Sequence, residues 1–414
     1  MRLMVYSHDT FGLGNIRRML AICKHVQAAI KHLSILIVSG SPMLQSFRVE
    51  PGIDYIKLPC LKRTEWGELG VRFLDLDVNE IVGLRRELIL STVMSYRPDV
   101  VFVDKKPDGL AGELEPSLRH IKCRLFNTRI HLVLRDILDS PKVTVEDWTH
   151  HGYFDVLRWY YDDILVLGDQ KVFNVCEEYE FPQELRKKVY HCGYVRRELP
   201  RRSRLEIRKE LGIEETESLV LVTTGGGEDG YEVLAASLAA TSNLANRLPV
   251  RTLLVTGPEL GAPQSRAIHR AARSRADLQV IEFTDDLMSY MHAADVIISM
   301  AGYNTICELL TLGKRCITVP RVRPVEEQKI RAERVAEFRA LRIVLPDELK
   351  PELMESALEE ELQLAQSGVP VNAGIDLDAL PRITALLQRD ASITARDYGA
   401  AAVSEVLEPK GSEW

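Results

Sequence analysis

The sequence predicts an α/β protein with two domains, each built on a doubly wound parallel sheet. Short β-branched runs alternate with longer helical patterns along the chain, as parallel sheets with helices on both faces require. The runs are almost continuously apolar, which is typical of strands that are buried on both faces. At 414 residues, the chain is too long for one ordinary core and suits two domains of about 200 residues each.

Apolar runs define the strands of the first domain, which we expect to cover residues 1–199. The candidates are Leu3–Ser7, Leu33–Ser39, Ile53–Leu58, Val100–Val103, Leu132–Arg135 and Ile164–Leu167. Between them, Ile81, Leu84 and Leu88 recur at helical spacing and predict a helix. The pattern pauses in a charged, proline-containing stretch, which predicts a linker at residues 200–206.

A second set of strands follows the linker and defines a domain that we assign to residues 207–389. Its candidates are Leu219–Thr223, Thr252–Thr256, Leu278–Phe283, Val296–Ser299 and Cys316–Val319. Residues 390–414 show little periodicity and are expected to form a C-terminal tail or helix. Ligands of such sheets bind outside the carboxyl ends of the strands, so we expect the site in the cleft between the two domains.

Composition and charge limit the class of partner and the compartment. The net charge of −7 argues against a general nucleic-acid binder, which usually carries a basic patch. The seven cysteines are odd in number and never spaced as Cys-x-x-Cys, which excludes a disulfide framework and favours a reducing, cytoplasmic compartment. We expect no signal peptide and no transmembrane segment, so that any membrane contact is peripheral.

A glycine-containing loop at residues 7–18 follows the first strand and opens a helix. Gly12 and Gly14 let the backbone approach a ligand, and the helix N-terminus favours an anionic group. A dinucleotide site is disfavoured, because the third glycine is absent and the second strand ends without an acidic residue for a ribose. A tight strand-to-helix turn is the alternative interpretation.

Three consecutive glycines, Gly225, Gly226 and Gly227, follow the first strand of the second domain. Such a run is costly in chain entropy unless the backbone passes close to something, and a diphosphate bound to exposed amides is the physical candidate. The sequence lacks Gly-Lys-Ser/Thr here, so the loop is not the P-loop of an NTPase. A flexible turn remains the alternative.

Two further strand ends lead into helices in the second domain. Thr305 and Glu308 stand three residues apart at a helix start, a spacing that a capping box also explains. Glu327 and Gln328 fall in a first helical turn, where both residue types are ordinary.

Together these elements resemble the donor half of GT-B glycosyltransferases, and the MurG-like group in particular. The resemblance is carried by Gly-Gly-Gly at 225–227, Glu-Phe-Thr-Asp-Asp-Leu-Met at 282–288, Gly-x-Asn-Thr-x-x-Glu-Leu at 302–309 and Pro followed by Glu-Glu-Gln at 320–328. The loop at 11–18 and the segment 99–107 are also similar to that group. The resemblance covers most of the chain and is strongest between residues 220 and 335.

The resemblance implies two Rossmann-like domains facing a central cleft and a nucleoside diphosphate sugar as donor. It places the glycines of 225–227 and Thr305 at the diphosphate, Phe283 and Thr284 beside the base, and Glu308 at the ribose hydroxyls. Glu327 and Gln328 would bind the sugar hydroxyls. The full implied donor site is Gly12, Gly14, Asn15, Gly225, Gly226, Gly227, Phe283, Thr284, Gly302, Asn304, Thr305, Glu308, Glu327 and Gln328.

The sequence departs from the relatives at two positions. They carry His where this chain has Asn15, and Asn cannot act as a general base near neutral pH. We therefore expect the base to be His8 or Asp104, each at a strand end of the first domain. Glu228 and Asp229 also add two negative charges near the proposed diphosphate, where like charges at close range cost on the order of 1 kcal/mol.

The expected function is transfer of a sugar, from UDP-sugar as the favoured donor, to an unidentified glycan, lipid or small-molecule acceptor. By analogy the reaction inverts the sugar carbon, and we expect it to need no metal and no other cofactor. Asp75-Leu76-Asp77 mimics a metal motif that belongs to glycosyltransferases of another fold. The alternatives are a nucleotide-sugar hydrolase or epimerase, and a catalytically silent protein that kept the fold.

Overall fold

The computed structural model describes residues 1–7, 14–46, 49–63, 69–368, 371 and 374–406. A seven-stranded and a six-stranded sheet, both parallel, dominate this part of the chain. Both faces of each sheet are buried. In the first strand, Leu3 and Val5 pack into one core cluster, whereas Met4 and Tyr6 pack into another. The predicted α/β class with two parallel sheets is confirmed.

The first sheet and its helices are formed by residues 2–191. The strands and helices in chain order are β1 Arg2–Ser7, α1 Gly14–Ala29, β2 Ser34–Ser39, β3 Ile53–Lys57, β4 Leu61–Arg63, β5 Leu69–Val71, α2 Val78–Tyr96, β6 Val100–Asp104, α3 Glu115–Arg124, β7 Arg129–Arg135, α4 Pro141–His150, α5 Tyr153–Tyr160, β8 Asp163–Leu167, α6 Val175–Glu178, α7 Gln183–Arg186 and β9 Val189–His191, with short 3₁₀ turns at Leu44–Ser46 and Leu110–Gly112.

The first sheet has the strand order β3-β2-β1-β6-β7-β8-β9, and β4 and β5 form a separate antiparallel pair. The chain runs outward from β1 in one direction and from β6 in the other. The carboxyl ends of β1 and β6 therefore flank the point at which the strand order reverses, where open α/β sheets bind ligands.

The second sheet and its helices are formed by residues 204–366. They are α8 Arg204–Glu210, β10 Ser218–Thr223, α9 Tyr231–Ala245, β11 Val250–Val255, α10 Ala262–Ala272, β12 Leu278–Ile281, α11 Leu287–Ala293, β13 Val296–Ser299, α12 Tyr303–Leu312, β14 Arg315–Thr318, α13 Glu327–Ala336, β15 Arg342–Ile343 and α14 Pro351–Gln366, and α15 Ala379–Val406 follows them. The order β12-β11-β10-β13-β14-β15 puts the reversal between β10 and β13.

The stretch predicted as a linker leads directly into a capped helix. Ser203 caps α8 through a capping box with Glu206, so the last residues of the predicted linker are helical. The side chain of Arg202 contacts Asp286 at 2.8 Å and its backbone N–H donates to Ser289, which fixes the segment beside α11.

The last helix, α15, returns to the first domain. It begins at Ala379, and Asp390 Oδ2 lies 2.8 Å from Nε2 of His131, a buried residue of β7. Arg389 on the same helix contacts Asp163 at 2.8 Å. Residues 390–406 of the predicted tail are helical, and the remainder of that tail lies outside the described residues.

The helix predicted from Ile81, Leu84 and Leu88 is present as α2, but its buried face is rotated. Ile81 is buried, whereas Leu84 is 44% exposed. Arg85 takes the buried position because its guanidinium pairs with the buried carboxylate of Glu113, with Nε 2.6 Å from Oε2. The helix starts at the cap Asp77, which accepts from the backbone N–H of Asn79, so this aspartate has a structural role.

Candidate active site

The predicted site residues collect at the carboxyl ends of strands on both sides of the interdomain cleft. Those of the first domain follow β1 and β6. Most of those in the second domain follow β10, β13 and β14. Both groups therefore flank the reversal points of their sheets. His8 and Gly12 fall outside the described residues.

The glycine loop after β10 is packed tightly against the end of β11. Gly225 and Gly227 have φ values of +69° and +99°, which residues other than glycine rarely adopt. A Cβ on Gly227 would lie only 2.5 Å from the carbonyl oxygen of Thr256, and one on Gly226 would lie 2.6 Å from the carboxylate of Glu259. The loop therefore requires glycines both for its backbone angles and for its close packing.

One of the two acidic residues after the glycine loop is neutralised. Asp229 Oδ2 lies 3.0 Å from Arg321 Nη1, on the segment that leads to α13, while the side chain of Glu228 is exposed to solvent. Arg321 also donates its backbone N–H to Gln328 Oε1 at 3.1 Å. The charge of Asp229 is thus balanced before any diphosphate enters.

Helix α12 carries the second set of predicted residues. It begins at Tyr303 with Gly302 as its cap, so Thr305 lies inside the helix and the capping-box interpretation of Thr305 and Glu308 does not hold. Glu308 is 3% exposed and pairs with Arg17 of α1, with Oε1 3.2 Å from Nη2. Asn304 donates its side-chain amide to the carbonyl of Gly14 at 3.1 Å. The loops of the two domains therefore meet here.

Helix α13 brings Glu327 and Gln328 to the same cleft. Both side chains are buried, and Glu327 forms an ion pair with Arg135, the last residue of β7 in the first domain. Burial lowers the pKa of Arg135, and Glu327 acts in the opposite direction. A carboxylate of each donor-domain helix thus faces an arginine of the first domain.

Phe283 and Thr284 follow the edge strand β12, two strands away from β10. The ring of Phe283 is 62% exposed, as a platform for a planar base would be, while Thr284 Oγ1 accepts from the backbone N–H of Asp286 at 3.1 Å. No contact within the described part of the chain joins these two side chains to Glu308 or Glu327. Their role at the base stays a prediction.

Asp104 and Asn15, two predicted site residues of the first domain, share one arginine, Arg18. Asp104 is completely buried, and its Oδ1 lies 2.6 Å from Arg18 Nη2. The same Nη2 donates to Asn15 Oδ1 at 3.3 Å, and Ser7 Oγ lies 3.5 Å from Asp104. A carboxylate that is sealed from solvent and paired with a cation is suited to holding α1 in place. This placement argues against Asp104 as the base.

Several residues that complete the cleft were not singled out from the sequence. Asp136 follows β7 and forms a buried ion pair with Arg331 of α13, with Oδ1 and Nη2 2.8 Å apart. The ring of Tyr303 lies beside the guanidinium groups of Arg18 and Arg331, with distances of 5.6 and 5.7 Å to the ring centroid. Charged residues at strand ends, such as Arg135 and Asp136, are the signal that would have drawn attention to them.

The arrangement can bind a ligand that combines anionic groups with hydroxyl groups. Buried carboxylates accept hydrogen bonds from hydroxyls, and guanidinium groups together with exposed loop amides bind phosphate oxygens. Within the described residues, no group of three or more His, Cys, Asp and Glu side chains could hold a metal ion. None of the described helices is long and apolar enough to cross a membrane.

Comparisons with known proteins agree with this arrangement. Residues 220–373 match the family model of the glycosyltransferase family 28 C-terminal domain. The UDP-N-acetylglucosamine--N-acetylmuramyl-(pentapeptide) pyrophosphoryl-undecaprenol N-acetylglucosamine transferase of Caldicellulosiruptor saccharolyticus is 22% identical over 352 residues, which span 84% of this chain and 86% of the relative. The uncharacterized glycosyltransferase MK0977 of Methanopyrus kandleri is 25% identical over 188 residues, which span 45% of this chain and half of the relative.

The fold is similar to that of solved glycosyltransferases. The crystal structure of Acinetobacter baumannii MurG superposes with a TM-score of 0.60 and 16% identity, over 94% of this chain and 99% of that one. The two-domain GT-B fold predicted from the motifs is confirmed.

Proposed function

We propose that this chain, a MurG-like glycosyltransferase of the GT-B fold, transfers a sugar from a UDP-sugar to a hydroxyl group of an acceptor bound on the first domain. The transfer inverts the configuration at the sugar carbon and uses no metal. The acceptor is a glycan, a lipid or a small molecule, and a lipid acceptor would involve peripheral contact with a membrane. The seven free cysteines fit a reducing cytoplasm.

The observation that carries the proposal is the pairing of donor-domain carboxylates with first-domain arginines across the cleft. Glu308 is buried in the middle of α12 and Glu327 is buried at the start of α13, and each faces an arginine, Arg17 and Arg135 respectively. The hydroxyls of a ribose and of a sugar suit the carboxylates, and the diphosphate between them suits the arginines and the glycine loop. A nucleoside diphosphate sugar supplies all of these groups in one molecule.

Both carboxylates already have a cationic partner before a donor enters. Arg17 is 44% exposed, so it can shift toward a phosphate oxygen, provided that another group then pairs with the buried carboxylate of Glu308. The ribose hydroxyls would then donate to Glu308. Gln328, whose Oε1 accepts from the backbone of Arg321, would keep its amide N–H groups for the sugar.

The reaction needs a bond to form on one face of the sugar while another breaks on the opposite face. The acceptor oxygen attacks the sugar carbon that carries the diphosphate, and the bond from that carbon to the diphosphate breaks. Loop amides near Gly225–Gly227 and Arg17 would stabilise the negative charge that develops on the leaving group. The proton of the acceptor hydroxyl passes to a base on the first domain.

Thermal unfolding in the presence of UDP, dTDP, GDP, ADP or CMP tests the donor site. A ligand at about 100 times its dissociation constant stabilises by roughly 2.7 kcal/mol, which shifts the midpoint by several degrees. We expect UDP to stabilise selectively. Replacing Glu308 by Ala should weaken UDP binding at least about tenfold, or roughly 1.4 kcal/mol, because the ribose loses its acceptor.

Glu333→Ala is the matched control, since this glutamate lies on α13 and its side chain is exposed to solvent. Unchanged UDP affinity in folded Glu308→Ala protein would refute the assignment. Incubating wild-type protein with UDP-sugars in the absence of acceptor separates the alternatives. A hydrolase or epimerase still consumes the UDP-sugar without acceptor. A catalytically silent binding protein consumes no UDP-sugar, whether or not acceptor is present.

A further inference from the structure

The residue that removes the acceptor proton is the missing part of the proposed reaction. Asn15 has no basic nitrogen, and Asp104 is buried against Arg18. A base must lie on the acceptor side of the cleft, reach solvent and be able to lose its proton near neutral pH. We therefore considered the remaining titratable side chains at the carboxyl ends of β6 and β7.

Lys105 is the first residue after β6 and has an unusual backbone conformation. Its φ of +67° is uncommon for a residue other than glycine, and its backbone N–H still donates to Val133 of β7 at 3.0 Å. Such conformations persist only where the surroundings enforce them, and they cluster at functional sites. The neighbouring strand β7 thus holds this residue at the edge of the cleft.

The side chain of Lys105 is partly buried beside the ion pair of Arg135 and Glu327, which spans the two domains. Among the residues that the structure describes, none accepts a hydrogen bond from its Nζ. Asp104, its neighbour in sequence, is committed to Arg18. Within the described residues, the amine therefore has no hydrogen-bond acceptor.

The charges around Lys105 favour loss of its proton. Burial and the guanidinium of Arg135 lower its pKa to about 8, while Glu327 and Asp104 act in the opposite direction and Lys106 adds to the lowering. At that pKa, about a tenth of the side chains are neutral at neutral pH, against fewer than about one in a thousand for an ordinary lysine. Catalytic lysines owe their neutral fraction at neutral pH to the same two effects.

We propose that Lys105 is the general base of the transfer reaction. Its neutral Nζ accepts the proton of the acceptor hydroxyl as the hydroxyl oxygen bonds to the sugar carbon, and the electron pair of the breaking bond leaves with the diphosphate. The ammonium form then gives the proton to solvent before the next turnover. This inference rests on the proposed function and assigns one of its steps.

Lys105→Arg and Lys105→Ala test the role, with Lys142→Ala as the matched control. Lys142 is an exposed lysine of α4 and is not among the groups that shift the pKa of Lys105. Arginine keeps the charge and cannot lose its proton, so both Lys105 variants should lower kcat by about a hundredfold or more while UDP affinity stays within about twofold. The control should transfer sugar at the wild-type rate.

The pH profile supplies a readout that a structural role would not move. The wild-type kcat should rise with pH through a limb near the pKa of Lys105, and that limb should be absent from the residual activity of Lys105→Ala. A small primary amine added to Lys105→Ala should restore part of the rate. Retention of more than about a tenth of the activity by Lys105→Arg would overturn the assignment, and so would a loss of UDP affinity that matches the loss of rate.

Labelling of the wild-type lysines with limiting acetic anhydride, followed by peptide mass analysis, measures the basicity of Lys105 without any turnover. Half-maximal reactivity near pH 8 supports the proposal, and a value above about 10, as for ordinary lysines, overturns it. The two proposals fail differently. Absence of selective nucleotide stabilisation removes the donor site itself, whereas UDP binding with transfer that is independent of Lys105 removes only the base.

Discussion

Replacing Arg331 by Met removes the cation that holds Asp136 in the interior between the two sheets. The two side chains are 0% and 1% exposed, and the guanidinium contacts the carboxylate through Nε at 2.9 Å and Nη2 at 2.8 Å. Arg331 Nη1 also donates to the carbonyl of Ala301 at 3.0 Å. In the variant, the carboxylate would keep the hydroxyl of Tyr194, which donates to Oδ2 at 2.7 Å.

The expected cost follows from the burial of both partners. Breaking a buried pair by removing one partner costs about 3–5 kcal/mol, because the other charge stays in the interior without compensation. At roughly 2–4 °C per kcal/mol for a domain of this size, the unfolding midpoint should fall by about 6–20 °C. The double variant Asp136→Leu with Arg331→Met should recover most of this loss, since a buried pair contributes little more than apolar side chains of similar volume.

Urea unfolding followed by tryptophan fluorescence measures these changes and completes the double-variant cycle. Arg247→Met is the control, because Arg247 is 51% exposed and pairs with Glu355 on the surface, where loss of a pair costs less than about 1 kcal/mol. An unfolding free energy for Arg331→Met within about 1 kcal/mol of wild type would refute the reasoning. It would mean that α13 and the end of β7 do not meet in solution as they do here.

Two further predictions concern pH and the glycine loop. Burial lowers the pKa of His131, but Asp163 and Asp390 outweigh it and raise the pKa, so the stabilisation is full below the unfolded value of about 6.5 and is lost as pH rises through the folded value. The difference in unfolding free energy between wild type and His131→Gln should therefore shrink as pH rises above about 6.5, and a constant difference would contradict it. Gly227→Ala places a Cβ 2.5 Å from the carbonyl oxygen of Thr256. Calorimetry should therefore show weaker UDP binding and an unfolding midpoint that is lower by several degrees. Wild-type affinity and a wild-type midpoint in this variant would exclude the tight loop.

The strands that the sequence predicts are buried, and this burial appears in the sequence as an apolar run. The strands that were not predicted are β4, β5, β9 and β15. Each has only two or three residues, too few to show an apolar run or a clean alternation. The packing of α15 against the first domain could not be predicted from the sequence either. Its contacts with β7 and β8 join residues more than 200 positions apart, and no local pattern encodes them.

The residues of the proposed donor site carry a different sequence signal. Glycines after a strand and carboxylates within the first two turns of a helix form motifs over a few neighbouring positions, and the structure places these residues at the cleft. Their arginine partners leave no such motif. Arg17 and Arg18 differ by one helical position, yet one faces Glu308 of the other domain and the other faces Asp104 inside its own. Only the packing of α1 decides between them.

The ion pairs across the cleft differ in burial in a way that suits a binding site. Arg331 is completely buried in its pair with Asp136, whereas Arg135 is 14% exposed and Arg17 is 44% exposed in pairs that involve the proposed donor-binding carboxylates. Both carboxylates of these pairs are buried, so neither pair can open unless another group takes the place of the arginine. A ligand that offers hydroxyls to the carboxylates and phosphates to the arginines supplies such groups, and Arg17 can also reach solvent. Asp136 and Arg331 are both sealed from solvent, so their pair joins the two domains, whereas the pair at Glu308 can exchange partners in the proposed donor site.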